Sequence, residues 1–493
     1  MYNKSSRVNC AMKLPALALK IVLALSLFCA VAVTSSAQTL TTLNKFRGTN
    51  GANPYAPLVQ GTNGFLYGTT YFGGVNNTGT VFKMSPGGKL TTIYSFMLNG
   101  HPSAGLVQAT NGNFYGTALF GGSGSGAVFA ITPSGTLTTL YPFCLDGGQG
   151  CTDGELPFAP LIQGTDGNFY GTTSAGGANN GGTIFKITLS GTFTTLYSLC
   201  SKGDCADGEN SFAGLVQAGG IFYGTTRLGG AHNAGTVFKL TPSGKLTTLY
   251  NFCSVGLSRC TDGAEPFAGL LLATDGNFYG TTFSGGPNDG GTIFKMTPGG
   301  VVTTLYAFCS QGPDECTDGL QPYAGLIQAT DGNLYGTTTG GGAFNHGTAF
   351  QITSSGKLTS LYSFCSQSHC PDGSQPYAGL SQGTDGNFYG TTLLSWAPLT
   401  QETGGIVYRL STGLEPFVET LPTFGRVGGT IKILGTNLSS ATGVSFNGTP
   451  AAFKVISSSL IMASVPTGAV SGSVAVTTPS TILTSNQPFS VKP

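Results

Sequence analysis

Charge is what this chain has least of. Only 8% of its 493 residues are Asp, Glu, Lys or Arg, where a soluble domain carries about a quarter. The 21 basic and 20 acidic residues leave a formal net charge of +1, so there is no basic surplus to neutralise a phosphate backbone, and nucleic acid is not an expected partner. Tryptophan occurs once, at Trp396. Histidine occurs four times, at His101, His232, His346 and His369, in separate connections and beside no Cys-x-x-Cys pair, so no zinc-type ligand set is written in the chain. After residue 37 no apolar period of 3.6 appears, which excludes a helical domain. The longest apolar run, residues 21–33, is 13 residues long and too short for a comfortable membrane span. In place of charge there are 78 glycines, with Asn, Ser and Thr to cover the surface.

The short apolar run belongs to a leader. Lys13 and Lys20 give a positive flank, and Ser35-Ser36-Ala37 gives a small-residue cleavage site before Gln38, so residues 1–37 read as a signal peptide that starts at Met1 or at Met12. Its removal deletes four basic and no acidic residues and moves the formal charge from +1 to −3.

From there to residue 413 the chain repeats. A Tyr-Gly-Thr core recurs at Tyr67, Tyr115, Tyr170, Tyr223, Tyr279, Tyr335 and Tyr389, and a period of this length marks units that must stack to bury their apolar surface. One unit holds four short runs rich in aromatic and β-branched residues: 266–272, 277–282, 291–296 and 302–308. Turn signals such as Asp275-Gly276 and Thr297-Pro298-Gly299-Gly300 divide them. Labelled A to D, four antiparallel strands repeated seven times predict an all-β, seven-bladed β-propeller with A nearest the axis. The D run is missing after the seventh C run (residues 406–410), and a matching segment, Leu40 to Phe46, stands before the first A run. Placed as the outer strand of the last blade, it closes the ring and leaves no open edge.

Ten cysteines lie beyond the leader, in five local pairs: Cys144 with Cys151, Cys200 with Cys205, Cys253 with Cys260, Cys309 with Cys316, and Cys365 with Cys370. Each pair falls in a D–A connection, which predicts disulfide clips in an oxidising compartment. Closing loops this short contributes about 2–2.5 kcal/mol each on the chain-entropy model.

After Pro416 the period stops. Gly435-Thr436-Asn437-Leu438, Val444-Ser445-Phe446-Asn447-Gly448 and Val465-Pro466 punctuate short strands at β-sandwich spacing, and residues 414–493 resemble the IPT/TIG family of immunoglobulin-like domains. The units before them carry Asp-Gly-Asn-Phe-Tyr-Gly-Thr-Thr, Gly-Thr-x-Phe-Lys and Leu-Thr-Thr-Leu-Tyr. In this they resemble the GloVer tandem repeats of exported bacterial proteins over about residues 40–412. That resemblance implies fold and export and brings no activity with it. Two departures stand out: Gly219-Gly220 replaces the fourth Asp-Gly-Asn, and residues 393–402, with Trp396, replace the Gly-Gly-Asn pattern of the seventh B–C loop.

In such an array the D–A and B–C loops share one face, and the A–B and C–D turns share the other. The loop face collects fourteen acidic residues, among them Asp146, Asp153, Asp314 and Glu402, against Arg47, Lys202, Arg227 and Arg259, a field that suits cations or neutral polar ligands. Asp207, Asp262, Asp318 and Asp372 recur there as ligand-binding candidates, with Trp396 as an apolar platform. Each of these aspartates also precedes Gly, and Asp-Gly needs no ligand to form a turn. No loop has EF-hand ligand order, so no cofactor is expected; Ca2+ is the one cation these oxygen-rich loops would take. No catalytic constellation is visible, and copper-radical chemistry would need cysteines that are already paired. The chain therefore reads as an exported, non-catalytic module, extracellular, at the cell surface or periplasmic, that binds or scaffolds polysaccharide or protein and has no membrane span in its mature form. The alternative is an extracellular carbohydrate-active enzyme with two facing carboxylates on the acidic face.

Overall fold

The computed structural model describes residues 38–492 except 98–99, 123, 145–149, 257–258, 313–314 and 396–403. The leader, Trp396, Glu402, Asp146 and Asp314 lie outside the described residues. Among those described there is no α-helix.

Each repeat folds into a four-stranded antiparallel sheet in which every strand lies beside the one before it. The fourth sheet runs Val216–Ala218, Ile221–Thr226, Thr236–Leu240 and Leu246–Asn251. Seven sheets share this plan, numbered 1 to 7 in the order of their A strands. The seventh is composite: Ser381–Gln382, Phe388–Thr392 and Ile406–Ser411 are completed by Thr39–Lys45, which pairs antiparallel with Leu40 opposite Leu410 and Lys45 opposite Ile406. The A strands are much shorter than the sequence predicts. Leu271–Leu272 is all that remains of the run from Pro266, because Pro266 has no N–H to give and Glu265 before it is left-handed (φ 53°).

The recurrent motif is explained atom by atom. The Tyr67 ring lies 4.0 Å from that of Phe114 in the next sheet, and its hydroxyl pairs with the Asn63 side chain of its own A–B turn at 2.7 Å. Gly68 has no room for a side chain, since a Cβ there would stand 2.6 Å from Cζ of Phe82 and 2.7 Å from Cδ2 of Leu58. Thr69 donates to the Ala104 carbonyl of the next sheet at 3.0 Å. Thr70 meets Thr80 of strand C at 2.8 Å. Tyrosine and the first threonine thus serve packing between sheets, glycine and the second threonine packing within one, and in sheet 7 the threonine that matches Thr69, Thr391, donates to Pro54 of sheet 1 (3.4 Å).

The core is correspondingly divided. Apolar clusters form between successive sheets, as with Tyr67, Val81, Phe114 and Phe129 between sheets 1 and 2. Another, with Phe46, Leu58, Phe82, Tyr389 and Val407, joins sheet 7 to sheet 1. All five cysteine pairs are disulfides within their own D–A connections.

The C-terminal strands build a sandwich. One sheet orders Glu419–Leu421, Thr430–Leu434, Leu460–Ser464 and Phe453–Ser457; the other orders Thr449–Pro450, Gly443–Phe446, Val474–Thr477 and Ile482–Thr484. Between them lie Ile433, Phe446, Ile461 and Val476, supplied by the alternation expected of strands with one buried face. Residues 38–493 form one compact unit, in which the sandwich rests on A–B turns of the repeat sheets. Lys432 donates to the Thr110 carbonyl (2.9 Å), Thr436 meets Thr384 (2.8 Å), and Ser459 donates to the Thr62 carbonyl (3.4 Å). These contacts occupy the turn face and leave the loop face of the sheets uncovered by the sandwich.

Candidate functional site

The aspartates singled out on the loop face point inward. Asp207 is fully buried and accepts from the Tyr197 hydroxyl (2.7 Å) and from the backbone N–H groups of Ser201 (3.0 Å) and Lys202 (3.1 Å). Asp262 accepts from Tyr250, Ser254 and Val255, Asp318 from Tyr306, Cys309 and Ser310, and Asp372 from Tyr362 and Ser366. Each holds its own D–A connection in shape, and the four do not meet. Burial, reinforced by the hydrogen bond to the carboxylate, pushes the phenols of Tyr197, Tyr250, Tyr306 and Tyr362 up to about 12. Asp153 is likewise taken by Tyr141 at 2.8 Å. These carboxylates are engaged in hydrogen bonds within their own connections.

Groups with metal-ligand spacing do not survive inspection either. His346 with Cys365 and Cys370, and Glu209 with Cys200 and Cys205, lie close together, but all four cysteines are disulfide-bonded and offer no thiolate.

A different site lies where the segments ahead of the A strands converge. In the segment leading into each A strand is a residue that turns inward: Tyr55, Ser103, Phe158, Phe212, Phe267, Tyr323 and Tyr377 in sheets 1 to 7. The rings touch in sequence, Phe158 to Phe212 at 4.8 Å, Phe212 to Phe267 at 5.4 Å, Phe267 to Tyr323 at 4.8 Å, Tyr323 to Tyr377 at 5.0 Å and Tyr377 to Tyr55 at 5.6 Å. Ser103 interrupts the collar. Together they line a pocket of about 510 Å3, a size that accepts a small molecule or the end of a chain. Among its described lining residues there is no carboxylate, amine, guanidinium or imidazole.

Each collar residue is held by a strained neighbour. Residues 53, 101, 156, 210, 265, 321 and 375 are all left-handed, with φ between 45° and 56°, and none is glycine. Each donates its N–H to a B–C loop of the preceding sheet, as Asn210 does to Gly181, and Asn53 of sheet 1 to Gly404 of sheet 7. The side chains are used as well. Asn210 donates to the Ser174 carbonyl (2.8 Å), Asn53 to that of Leu393 (3.1 Å), and Glu265 pairs with Arg227 at 2.9 Å. Arg227 in turn lies 4.8 Å from the centre of the Phe267 ring, a cation–π contact at the pocket rim. The left-handed backbone at these seven positions is thus held by bonds to the neighbouring sheet.

Sequence reasoning missed this collar. Its trace was present as x-Pro-Phe/Tyr-Ala at the head of five of the seven A runs, with Ser103 in place of the ring in the second and Ser211 in place of Pro in the fourth, but the rings are about fifty residues apart and read singly as strand hydrophobes.

Comparison with known proteins follows the same division. Residues 29–151, 99–259, 145–315 and 257–451 match the family model described as Gloeobacter/Verrucomicrobia repeat, and residues 417–491 match the IPT/TIG domain. No curated protein matches the sequence. Among solved structures, a streptogramin B lyase aligns with TM-score 0.51 at 15% identity, covering 76% of this chain and 97% of the lyase. A virginiamycin B lyase from Staphylococcus aureus aligns with TM-score 0.50 at 16% identity, over 76% of this chain and 99% of its own. A fungal alcohol oxidase of the AA5 family, solved with copper, gives TM-score 0.50 at 12% identity over 92% of this chain and 99% of its own. At these identities the likeness shows a propeller-like fold and nothing of the chemistry.

Proposed function

Because the chain belongs to the Gloeobacter/Verrucomicrobia repeat family and carries a C-terminal IPT/TIG domain, we propose that it is an exported binding module. It is built as a seven-bladed β-propeller closed by its N-terminal strand, and it takes polysaccharide or a protein segment at the axial pocket of the loop face. The aromatic collar carries this reading. Six half-buried rings around one pocket supply the large, rigid contact area on which binding energy concentrates, and they stand on the face that the IPT/TIG domain leaves free. Export is supported by the five disulfides, which suit an oxidising compartment. A hydrolytic role has less support, since facing carboxylates are not among the described lining residues and Glu265 at the rim is held by Arg227.

The test is capture on a combined glycan and protein array, with the mature protein beside Phe267→Ala and Tyr323→Ala. Ligands retained by the parent and lost by both variants, with unchanged circular dichroism, are the expected result. A ligand held equally by all three overturns the axial site.

A further inference from the structure

The collar is two-sided. In ring order, sheets 3, 4 and 5 contribute Phe158, Phe212 and Phe267, an arc of hydrocarbon. Sheets 6, 7, 1 and 2 contribute Tyr323, Tyr377, Tyr55 and Ser103, an arc in which every side chain ends in a hydroxyl; Tyr71 stands behind it, 5.5 Å from Tyr55.

Elsewhere many tyrosine hydroxyls of the repeats take fixed partners, as Tyr67 does with Asn63, Tyr170 with Asp166, Tyr335 with Asp331 and Tyr389 with Asp385, while Tyr408 is buried without one. In the pocket they do not. Tyr55, Tyr71, Tyr323 and Tyr377 make no hydroxyl hydrogen bond among the described residues, and the Ser103 hydroxyl is enclosed without a partner. An enclosed hydroxyl left unpaired costs about 1–3 kcal/mol, a cost that falls on Ser103 alone; the tyrosine hydroxyls beside it line the cavity open to water, which a ligand's polar groups can replace. Burial raises the phenols of Tyr55, Tyr71 and Tyr323, the last to about 12, so all stay protonated and uncharged at ordinary pH.

Resting on the axial-pocket reading above, we propose that the pocket takes the uncharged pyranose end of a neutral glycan, with a C–H face against Phe158, Phe212 and Phe267 and hydroxyls along the edge reaching Ser103, Tyr55, Tyr323 and Tyr377. A pyranose has this division of surface: a hydrocarbon face and a hydroxyl edge. The uncharged wall selects against uronic acids and phosphosugars, whose desolvated charge would find no counter-ion among the described lining residues. A flat aromatic ligand would satisfy the Phe arc and leave the hydroxyls unpaired. Ser103 is the specificity-determining position, since it opens the collar where the other six sheets place a ring.

The experiment is isothermal titration of the mature protein with neutral methyl pyranosides and their disaccharides, with methyl glucuronide and indole as comparators. Four variants are run in parallel: Ser103→Phe, Ser103→Ala, Tyr377→Phe and Phe212→Leu. Ser103→Phe installs an aromatic ring of the kind the six equivalent positions already accommodate, Phe at three and Tyr at three, so it keeps the fold while closing the gap. Saturable binding of at least one neutral pyranoside is expected, abolished in Ser103→Phe, and weakened about 3- to 10-fold in Ser103→Ala and in Tyr377→Phe, the loss of one hydrogen bond each. Phe212→Leu weakens the same pyranoside while leaving its hydroxyl selectivity unchanged. The proposal is overturned if no neutral pyranoside binds up to tens of millimolar, if the glucuronide or indole binds as well or better, or if Ser103→Phe binds like the parent. If pyranosides fail while an array protein is still lost in Phe267→Ala and Tyr323→Ala, the ligand class is wrong and the axial site stands. If array ligands also persist in those variants, both fail.

Discussion

Replacing Asp262 by alanine decides whether the recurrent loop aspartates serve structure or ligand. Asp262 is 4% exposed, and its carboxylate accepts four hydrogen bonds: from the Tyr250 hydroxyl (2.7 Å), the Ser254 N–H (3.0 Å) and hydroxyl (3.0 Å), and the Val255 N–H (3.2 Å). A hydrogen bond to a charged group contributes about 1.5–3 kcal/mol, but Ser254 and Val255 are exposed and water replaces part of what they lose. The Cys253–Cys260 disulfide also keeps the connection short. The expected loss is therefore about 2–4 kcal/mol, borne chiefly by Tyr250 and the two N–H groups. Asn, which keeps an acceptor oxygen and loses the charge, should cost about half as much. Urea unfolding followed by tyrosine fluorescence measures the loss. Absorbance titration at alkaline pH adds a local readout, because the Tyr250 phenol, held near 12 by burial with Asp262 reinforcing it, should ionise earlier in the variant. An unchanged unfolding midpoint combined with lost calcium or glycan binding would refute the structural assignment.

Phe46 is 2% exposed and meets Phe82 of sheet 1 edge-on at 5.2 Å, so Phe46→Ala should cost about 3–5 kcal/mol. Deletion of residues 38–47, which removes the outer strand of sheet 7, should broaden the unfolding transition; a deletion variant that melts like the parent would sink the closure. At high pH the raised phenols of Tyr197, Tyr250, Tyr306 and Tyr362 set the sign: their contribution is complete below the unfolded value near 10 and is lost as pH rises through about 12. A circular-dichroism pH series should therefore show alkaline unfolding in that window. At low pH, burial would raise the Asp166 carboxyl, but hydrogen bonds from Asn168, Lys186 and Tyr170 outweigh it and hold the group at about 2. Its modest surface contribution is thus present above pH 4 and lost as pH falls toward 2, an effect that Asp166→Asn should abolish in the same series. Trp396, which the sequence offers as an aromatic platform, should on that reading give an emission that shifts when an array ligand is added; a blue emission indifferent to every ligand would end its candidacy.

The sequence by itself determined whatever repeats. Tyr-Gly-Thr-Thr forms the same contacts in successive sheets because each contact lies within one unit or between units one period apart, so the period carries the geometry with it. Cysteine pairs five or seven residues apart could close only locally, and the displaced segment near Leu40 had one open edge to fill. Asp207, Asp262, Asp318 and Asp372 were visible as turn formers, yet their inward direction was not, because whether a loop carboxylate faces solvent or a tyrosine hydroxyl depends on how strand D packs. The pocket was decided by tertiary structure alone. Tyr55, Ser103, Phe158, Phe212, Phe267, Tyr323 and Tyr377 are neighbours only because seven sheets bring the segments ahead of their A strands to one pocket, and the split between a Phe arc and a hydroxyl arc acquires meaning only once Tyr377 lies beside Tyr55.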